Sequence, residues 1–400
     1  MKQHFDVVIV GAGINGLTLA ARLAQGSGRE SLRLTIVDAA VRPEYSADDD
    51  IALRVSAIAA GSVALLRSVG AWQQVSASRL SPYECMRVWD ETDVSDSKSA
   101  LCFEAAEFGV AQLGFIIEND LLRDALLQQL DDADVELRFE SPIRSLRRVD
   151  QQYGIEFEDG IKRDADLIVG ADGSRSFVRA AVGIDTRRWP IDQIAFVTHL
   201  APERDHQATA WQRFMHDGPL GILPLSDGRV SVVWSTQPGA AAKAMEVNDD
   251  TLGSMLTDAS DRVLGTLSAA GPRAQFPLGA QHAERYAVPG VALIGDAAHA
   301  IHPLAGQGAN LGLQDVEELA NVIESALSQG LHPGDLPVLR RYERARKGAN
   351  ATMLHFTTGL NRLFTTDSRL VAELRIAGMR MFNRSGPIRE RAVKVALGVG

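Results

Sequence analysis

Four hundred residues can bury a substantial core, and length alone suggests two or three domains. Apolar residues make up 46% and charged residues 23%, an ordinary globular balance, while a formal charge of -10 with no basic tract before the C-terminus argues against a nucleic-acid partner. Two cysteines, Cys85 and Cys102, stand seventeen positions apart without CxxC spacing, so neither a disulfide framework nor a zinc knuckle is indicated and a reducing, cytoplasmic setting fits. The chain enters a strand within five residues and shows neither a signal-peptide pattern nor eighteen consecutive uncharged apolar residues, so no signal peptide and no spanning helix are expected.

FDVVIV is a continuous, largely β-branched apolar run, the pattern of a strand buried on both faces of a parallel sheet. GAGING follows at once: Gly11, Gly13 and Gly16 form GxGxxG around Ala12, then NGLTLAARLAQG has helical spacing and LRLTIVD a second strand ending at Asp38. This βαβ unit is the dinucleotide-binding pattern. Glycines permit the tight turn, the approach of a pyrophosphate to backbone N–H groups and helix-on-strand packing, and an acid twenty-two residues after Gly16 can accept from a ribose. After the polar loop RPEYSADDD, the segment ALRVSAIAAGSVALLRSVGAW reads as a helix capped near Ser56, with Arg54 just before it, able to reach a pyrophosphate or to lie on the surface. Residues 80–116 alternate like antiparallel strands and read as an insertion. IENDLLRDALLQQLDD restores a helix with Asn119 as its expected cap and Arg123 on its first turns, and DG at 159–160 marks a hairpin.

The strand DADLIV runs into GADGSRSFVRAAVG, with Asp172 and Gly173 at its end, Ser174 and Ser176 able to cap the next helix and Arg179 one turn on. From about 186 to 279 strands alternate with a helix around EVNDDTLGSMLTDA. Residues 292–315, ALIGDAAHAIHPLAGQGANLGLQD, then raise three readings: a metal site, an acid/base cluster or a cradle for a phosphate-bearing group. His299, His302 and Asp296 could be imagined as ligands, but zinc-hydrolase helices carry HExxH, whereas here the histidines are three apart with Ala and Ile between them, so no metal is expected. The expected organisation is a discontinuous nucleotide-binding domain (1–79, 115–185 and 280–365), an antiparallel-sheet domain from the two insertions (80–114 and 186–279) and a helical tail (366–400).

GAGING at 11–16, GADG at 170–173 and IGDAAHAIHPLAGQGANLG at 294–312 together resemble the FAD-dependent aromatic hydroxylases of the para-hydroxybenzoate hydroxylase fold. Within that class, LRVSAI, PYECMRVWDE, LGFIIEN and HPLAGQGANLGLQD are similar to the ubiquinone-biosynthesis hydroxylases that act on polyprenylated phenols. The resemblance implies a Rossmann-like α/β FAD-binding domain with an interleaved antiparallel-sheet substrate domain. It also implies NAD(P)H as a transient cosubstrate, O2, and hydroxylation of a phenol through a flavin C4a-hydroperoxide.

By that resemblance, Gly295 and Asp296 hold the ribityl chain, and Gly306, Gly308, Ala309 and Asn310 form the loop that brings backbone N–H groups to the flavin ring. Asp172 and Gly173 serve FAD and NAD(P)H, Arg54 lies near the diphosphate, and Asn119 with Arg123 meets the cofactor. Asp38 departs from the glutamate of many relatives. His299 is read as a packed imidazole, while His302 and Pro303 lie on the loop beside the substrate. An epoxidase or prenyl reductase of the same fold, or a non-enzymatic flavin-binding scaffold, remains open; the halogenase WxWxI signature is absent. Six basic residues between 375 and 394 against one Glu make the tail a candidate contact for an anionic membrane or for a ubiquinone-biosynthesis complex.

Overall fold

The computed structural model describes residues 4–398. Phe5–Val10 is the centre of a six-stranded sheet ordered Ala287–Val288, Val291–Leu293, Leu167–Gly170, Phe5–Val10, Leu32–Val37, Val135–Arg138. All pairs are parallel except Ala287–Val288 with Val291–Leu293. The unbroken apolar runs are explained by burial from both sides: Val7, Ile9, Leu167, Ile168, Val169, Val291 and Leu293 are solvent-free, in one core with Leu17 and Leu19 of the helix Ile14–Ala24, Leu121 and Leu126 of Asn119–Asp131, and Val316 and Leu319 of Gln307–Ser328.

The second layer is an eight-stranded sheet ordered His299–Ala300, Leu267–Ala283, Thr186–Pro202, Val230–Thr236, Gly218–Pro224, Thr209–Met215, Cys85–Asp90, Leu101–Glu104. Period-two alternation divides its faces. Phe196, Leu200, Leu220, Ile222, Val230 and Val232 pack onto the helices Pro238–Glu246 and Asp249–Ala259 through Ala241, Ala244, Leu252 and Leu256. Their neighbours Ala195, Val197, Gly221, Leu223 and Val233 face the other way, into a cavity between this sheet and the parallel sheet. The insertion around residue 80 divides between sheets: Cys85–Asp90 and Leu101–Glu104 join the eight strands, whereas Ser81–Tyr83 pairs with Gly114–Glu118, which pairs in turn with Val55–Ala59.

That last pairing corrects two expected caps. Val55–Ala59 is a strand and the helix begins only at Ala60, so Ser56 caps nothing; its hydroxyl donates to Asn119 Oδ1 at 2.6 Å. Asn119 is the first helical residue, with Glu118 at the cap position. β-branched Val55 and Ile58 pair well in a ladder, and five tertiary hydrogen-bonded residues outweigh a modest helix preference.

The tail is helical, at Arg369–Asn383 and Pro387–Leu397, and part of its charge is taken up in ion pairs. Arg375 is buried against Asp90 (2.9 Å) and donates to the carbonyls of Leu363, Phe364 and Thr366; Arg389 pairs with Glu107 and Lys394 with Glu390. Arg380, Arg384 and Arg391 are exposed.

Candidate cofactor and substrate cavity

The cavity holds about 1570 Å³ and runs from the Gly11–Gly13 turn to the open face of the eight-stranded sheet. Drug-sized ligands occupy roughly 300–1,000 Å³, so this space suits a dinucleotide and a second molecule together.

At one end the first strand meets its helix. A Cβ on Gly16 would collide with the carbonyl oxygen of Gly11, so the close helix–strand approach requires glycine, whereas a Cβ on Gly13 would have nothing within 4 Å. Gly13 therefore borders open space. The helix that follows has no side-chain cap and no acid in its first turn, leaving its first N–H groups and positive end to an anionic ligand. Asp38 closes the turn from below: Ala12 N–H donates to its Oδ2 at 2.6 Å and Ala40 N–H to its Oδ1 at 2.8 Å. Those bonds fix the carboxylate at the cavity edge, with lone pairs left for hydroxyl donors. Arg123 donates from Nε to the Ala12 carbonyl at 3.2 Å and pairs loosely with Asp120 at 3.4 Å. Arg54 is exposed on the lining with its guanidinium 5.7 Å from the centre of the Phe276 ring.

Further in, Asp172 lines the cavity beside Gly173. Its Oδ2 accepts from Val178 N–H at 3.0 Å and its Oδ1, shielded from solvent, has no partner, an acceptor position open to a ligand donor. Ser176 caps the short helix Phe177–Ala181 by accepting from Arg179 N–H at 2.9 Å. Arg179 is buried, which lowers its guanidinium's affinity for a proton, and donates to the carbonyls of Ala297 and Ser174, both at 2.8 Å. Gln281 donates to the carbonyls of Ser174 (2.7 Å) and Asp296 (3.2 Å). The GADG and GDA turns, more than a hundred residues apart in the chain, are thus tied into one wall.

Asp296 projects from that wall and is exposed to the cavity; the protein walls around the cavity push its carboxyl pKa up by desolvation, with His299 and Arg54 pulling it partly back. Behind it lies a buried network absent from the expected site residues. Asp315 is solvent-free and accepts from Gly295 N–H (3.1 Å), His299 Nε2 (2.5 Å), Arg346 Nε (2.8 Å) and Asn350 Nδ2 (2.9 Å). Burial opposes its ionisation, but His299 and then Arg346 hold the carboxyl below its usual range. His299 is the packed imidazole expected. The signal for Asp315 was an acid at the centre of the i, i+4 apolar stripe Leu311, Asp315, Leu319.

Gly306 is left-handed at φ 63° and starts the helix Gln307–Ser328, which also lacks a side-chain cap. Gly308 and Ala309 line the cavity, and a Cβ at Gly308 would meet nothing within 4 Å. Asn310 points the other way, buried: its Oδ1 accepts from Ala59 N–H and Ser62 Oγ and its Nδ2 donates to the carbonyls of Ala57 (all 2.8 Å) and Gly306 (3.1 Å). It anchors the loop rather than facing a ligand. Pro303 lines the cavity, but His302, expected beside the substrate, does not. Its ring is fully buried, bonded through Nε2 to Gln193 Oε1 at 3.2 Å, and burial depresses its pKa to about 4. Burial also pushes the Tyr83 phenol, on the cavity wall, up to about 12. Among the described residues no cluster of three or more His, Cys, Asp or Glu could hold a metal ion.

A family model described as an FAD binding domain matches residues 4–357. The chain is 35% identical over its whole length to the whole of the 3-demethoxyubiquinol 3-hydroxylase of Escherichia coli (strain K12). It is 33% identical to the mitochondrial ubiquinone biosynthesis monooxygenase COQ6 of Xenopus tropicalis, covering 98% of this chain and 93% of that one. Among solved structures, PqsL, a probable FAD-dependent monooxygenase from Pseudomonas aeruginosa, superposes with a TM-score of 0.76 at 24% identity, over 94% of this chain and 99% of that one, and shares the fold. Glycine-rich turn, uncapped helix ends, cavity and full-length similarity agree: the chain belongs to the FAD-dependent monooxygenases of the ubiquinone-biosynthesis hydroxylase family.

Proposed function

We propose that the protein hydroxylates the aromatic ring of a polyprenylated phenol, using FAD, NAD(P)H and O2. The observation that carries this reading is the single continuous cavity that joins the Gly11–Gly13 turn, Asp296 and Gly308 to the apolar face formed by Val197, Leu223 and Val233. When bound, FAD supplies the redox chemistry, accepting a hydride from NAD(P)H and activating O2.

The chain's own groups then have distinct tasks. The N–H groups at the start of Ile14–Ala24, with Arg123 and Arg54 nearby, would offset the diphosphate charge, and Asp38 would accept from the adenosine ribose. Asp296 would accept from the ribityl hydroxyls, and the unpartnered Asp172 Oδ1 would take a further donor. The uncapped N-terminal end of Gln307–Ser328, whose Gly308 and Ala309 line the cavity, would favour negative charge on a reduced flavin held there. Tyr83, Met86 and Phe276, with the sheet face, keep water from the reacting phenol. Pro303 stands on the loop beside the phenol.

The tail suits a lipid-tailed substrate. Leu370, Leu374, Met381 and Ile388 are 62–74% exposed on the same two helices as Arg380 and Arg391, with Arg384 in the turn between them, the composition of a surface that rests on an anionic membrane. Among the described residues no helix is long and apolar enough to cross a membrane.

The test is anaerobic reduction of the bound flavin by NADPH, with and without a short-chain prenylphenol. On this reading phenol binding favours the reducible conformation, so a faster reduction with the phenol is expected; an unchanged rate with the phenol independently shown to be bound would overturn that coupling.

A further inference from the structure

The chain's only two cysteines meet in space. Cys85 and Cys102 lie on adjacent antiparallel strands, Cys85 opposite Glu104 and Arg87 opposite Cys102, so the two form a diagonal pair on one face of the sheet. Their sulfurs are 3.6 Å apart, and both residues are reached by solvent without being fully exposed. A disulfide needs a separation of about 2 Å, so bonding requires the sulfurs to close by roughly 1.5 Å, through side-chain rotation together with an adjustment of the edge strand that carries Cys102.

We propose that Cys85 and Cys102 are an oxidisable dithiol that hydrogen peroxide converts to an intramolecular disulfide. The Cys102 thiolate attacks one peroxide oxygen, breaking the O–O bond; a sulfenic acid forms and the other oxygen leaves as hydroxide, which takes up the thiol's proton as water. The Cys85 sulfur then attacks that sulfenic sulfur, forming the S–S bond and breaking S–O, and the leaving hydroxide takes the Cys85 proton as a second water. Two thiols lose two electrons and one peroxide becomes two waters.

Cys102 is the attacking thiol on environment, since it stands directly opposite Arg87 in the ladder. The contact with the Cys85 thiol, and then the Arg87 guanidinium, draw its pKa below the usual thiol range against burial and the carboxylates of Glu104 and Glu107. Cys85, correspondingly, is raised, chiefly as the donor in that contact. Position gives the bond a consequence. Met86, next to Cys85, lines the cavity, and the Cys102 carbonyl on the edge strand accepts from Arg389 of the last helix at 2.5 Å. Oxidation therefore staples the strand of the cavity wall to the strand on which the C-terminal helices rest. Peroxide is also what a flavin oxygenase releases when reduced oxygen leaves without a substrate to receive it, although the pair's chemistry does not depend on which phenol is used.

The test treats the FAD-loaded full-length protein with equimolar hydrogen peroxide, counts thiols in denaturant and maps unreduced peptides by mass spectrometry. The expected result is a fall from two free thiols to none, loss of two hydrogens in mass, one linked peptide holding Cys85 and Cys102 within a single chain, and full reversal by dithiothreitol. In Cys85→Ser, dimedone should trap a sulfenic acid on Cys102. Retention of both thiols, links between separate chains, or sulfinic acid on unlinked peptides of the parent protein would overturn the proposal.

Discussion

His299 Nε2 lies 2.5 Å from Asp315 Oδ2, both residues excluded from solvent, and the same oxygen accepts from the backbone N–H of Gly295, one residue before the carboxylate that faces the cavity. The position of Asp296 is thus inherited from the buried Asp315 carboxylate, which it does not touch and which forms an ion pair with Arg346 at 2.8 Å. Removing one partner of such a pair leaves the other charge uncompensated, at a cost of about 3–5 kcal/mol. Asp315→Ala is expected to lose that much in urea unfolding at neutral pH, and to retain less flavin. Because the Asp315 carboxyl is held below its usual range, its contribution is complete above about pH 4 and is lost as acid protonates it below that. A variant as stable as the parent at neutral pH would show that the network does not hold the turn.

The glycine-rich turn separates folding from binding. Gly16→Ala drives a Cβ into the Gly11 carbonyl and should lower thermal stability with or without flavin. Gly13→Ala meets no protein atom, so the flavin-free protein should melt as the parent does, while FAD affinity falls tenfold or more, about 1.4 kcal/mol. Calorimetry with a flavin titration checks both, and equal FAD affinity in Gly13→Ala and parent would remove the diphosphate from this turn.

Arg54 is exposed, its guanidinium near the exposed Phe276 ring and close enough to Asp296 to act on its charge, so its role can be separated from packing. Arg54→Ala should leave the melting temperature of the flavin-free protein within a degree or so of the parent, since exposed substitutions stay within about 0.5 kcal/mol. FAD affinity should drop by the worth of a charge-assisted bond, about 1.5–3 kcal/mol. Fluorescence quenching of added FAD measures it.

His302 sets an acid limit on the fold. Its folded pKa of about 4 lies below the unperturbed value near 6.5, so the folded state favours the neutral ring. Its stabilising contribution is fully present above about pH 6.5 and fades as pH falls toward 4, by on the order of 3 kcal/mol. His302→Gln, which keeps an amide facing Gln193, should show a flatter loss of urea stability between those limits. Parallel curves for the two proteins would mean the ring is solvated before unfolding.

What was legible in the sequence divides by the range of the interaction. The strand FDVVIV, the turn after it and the helix Ile14–Ala24 were readable because continuous apolar runs and glycine spacing report local constraints. So were the hairpin at Gly160 and the cavity-facing Asp296, Gly308 and Pro303. Val55–Ala59 was misread because its pairing partner, Gly114–Glu118, lies some sixty residues on, and no local pattern announces a strand whose ladder is that distant. Asn310 and His302 sit inside a motif that reads as a ligand cradle, yet a motif does not say which side of the loop each side chain takes. Asp315, Arg346 and Arg179 act through partners on other elements; only the acid interrupting an apolar stripe hinted at the first.

The most direct test of aromatic hydroxylation is oxygen incorporation. FAD-loaded protein, NADPH and a short-chain prenylphenol are incubated under isotopically heavy dioxygen, and the product is weighed by mass spectrometry. One heavy oxygen atom on the ring per NADPH consumed is the expected result. NADPH consumed with the phenol's ring unchanged, or with hydrogen added to the prenyl chain instead, would contradict it.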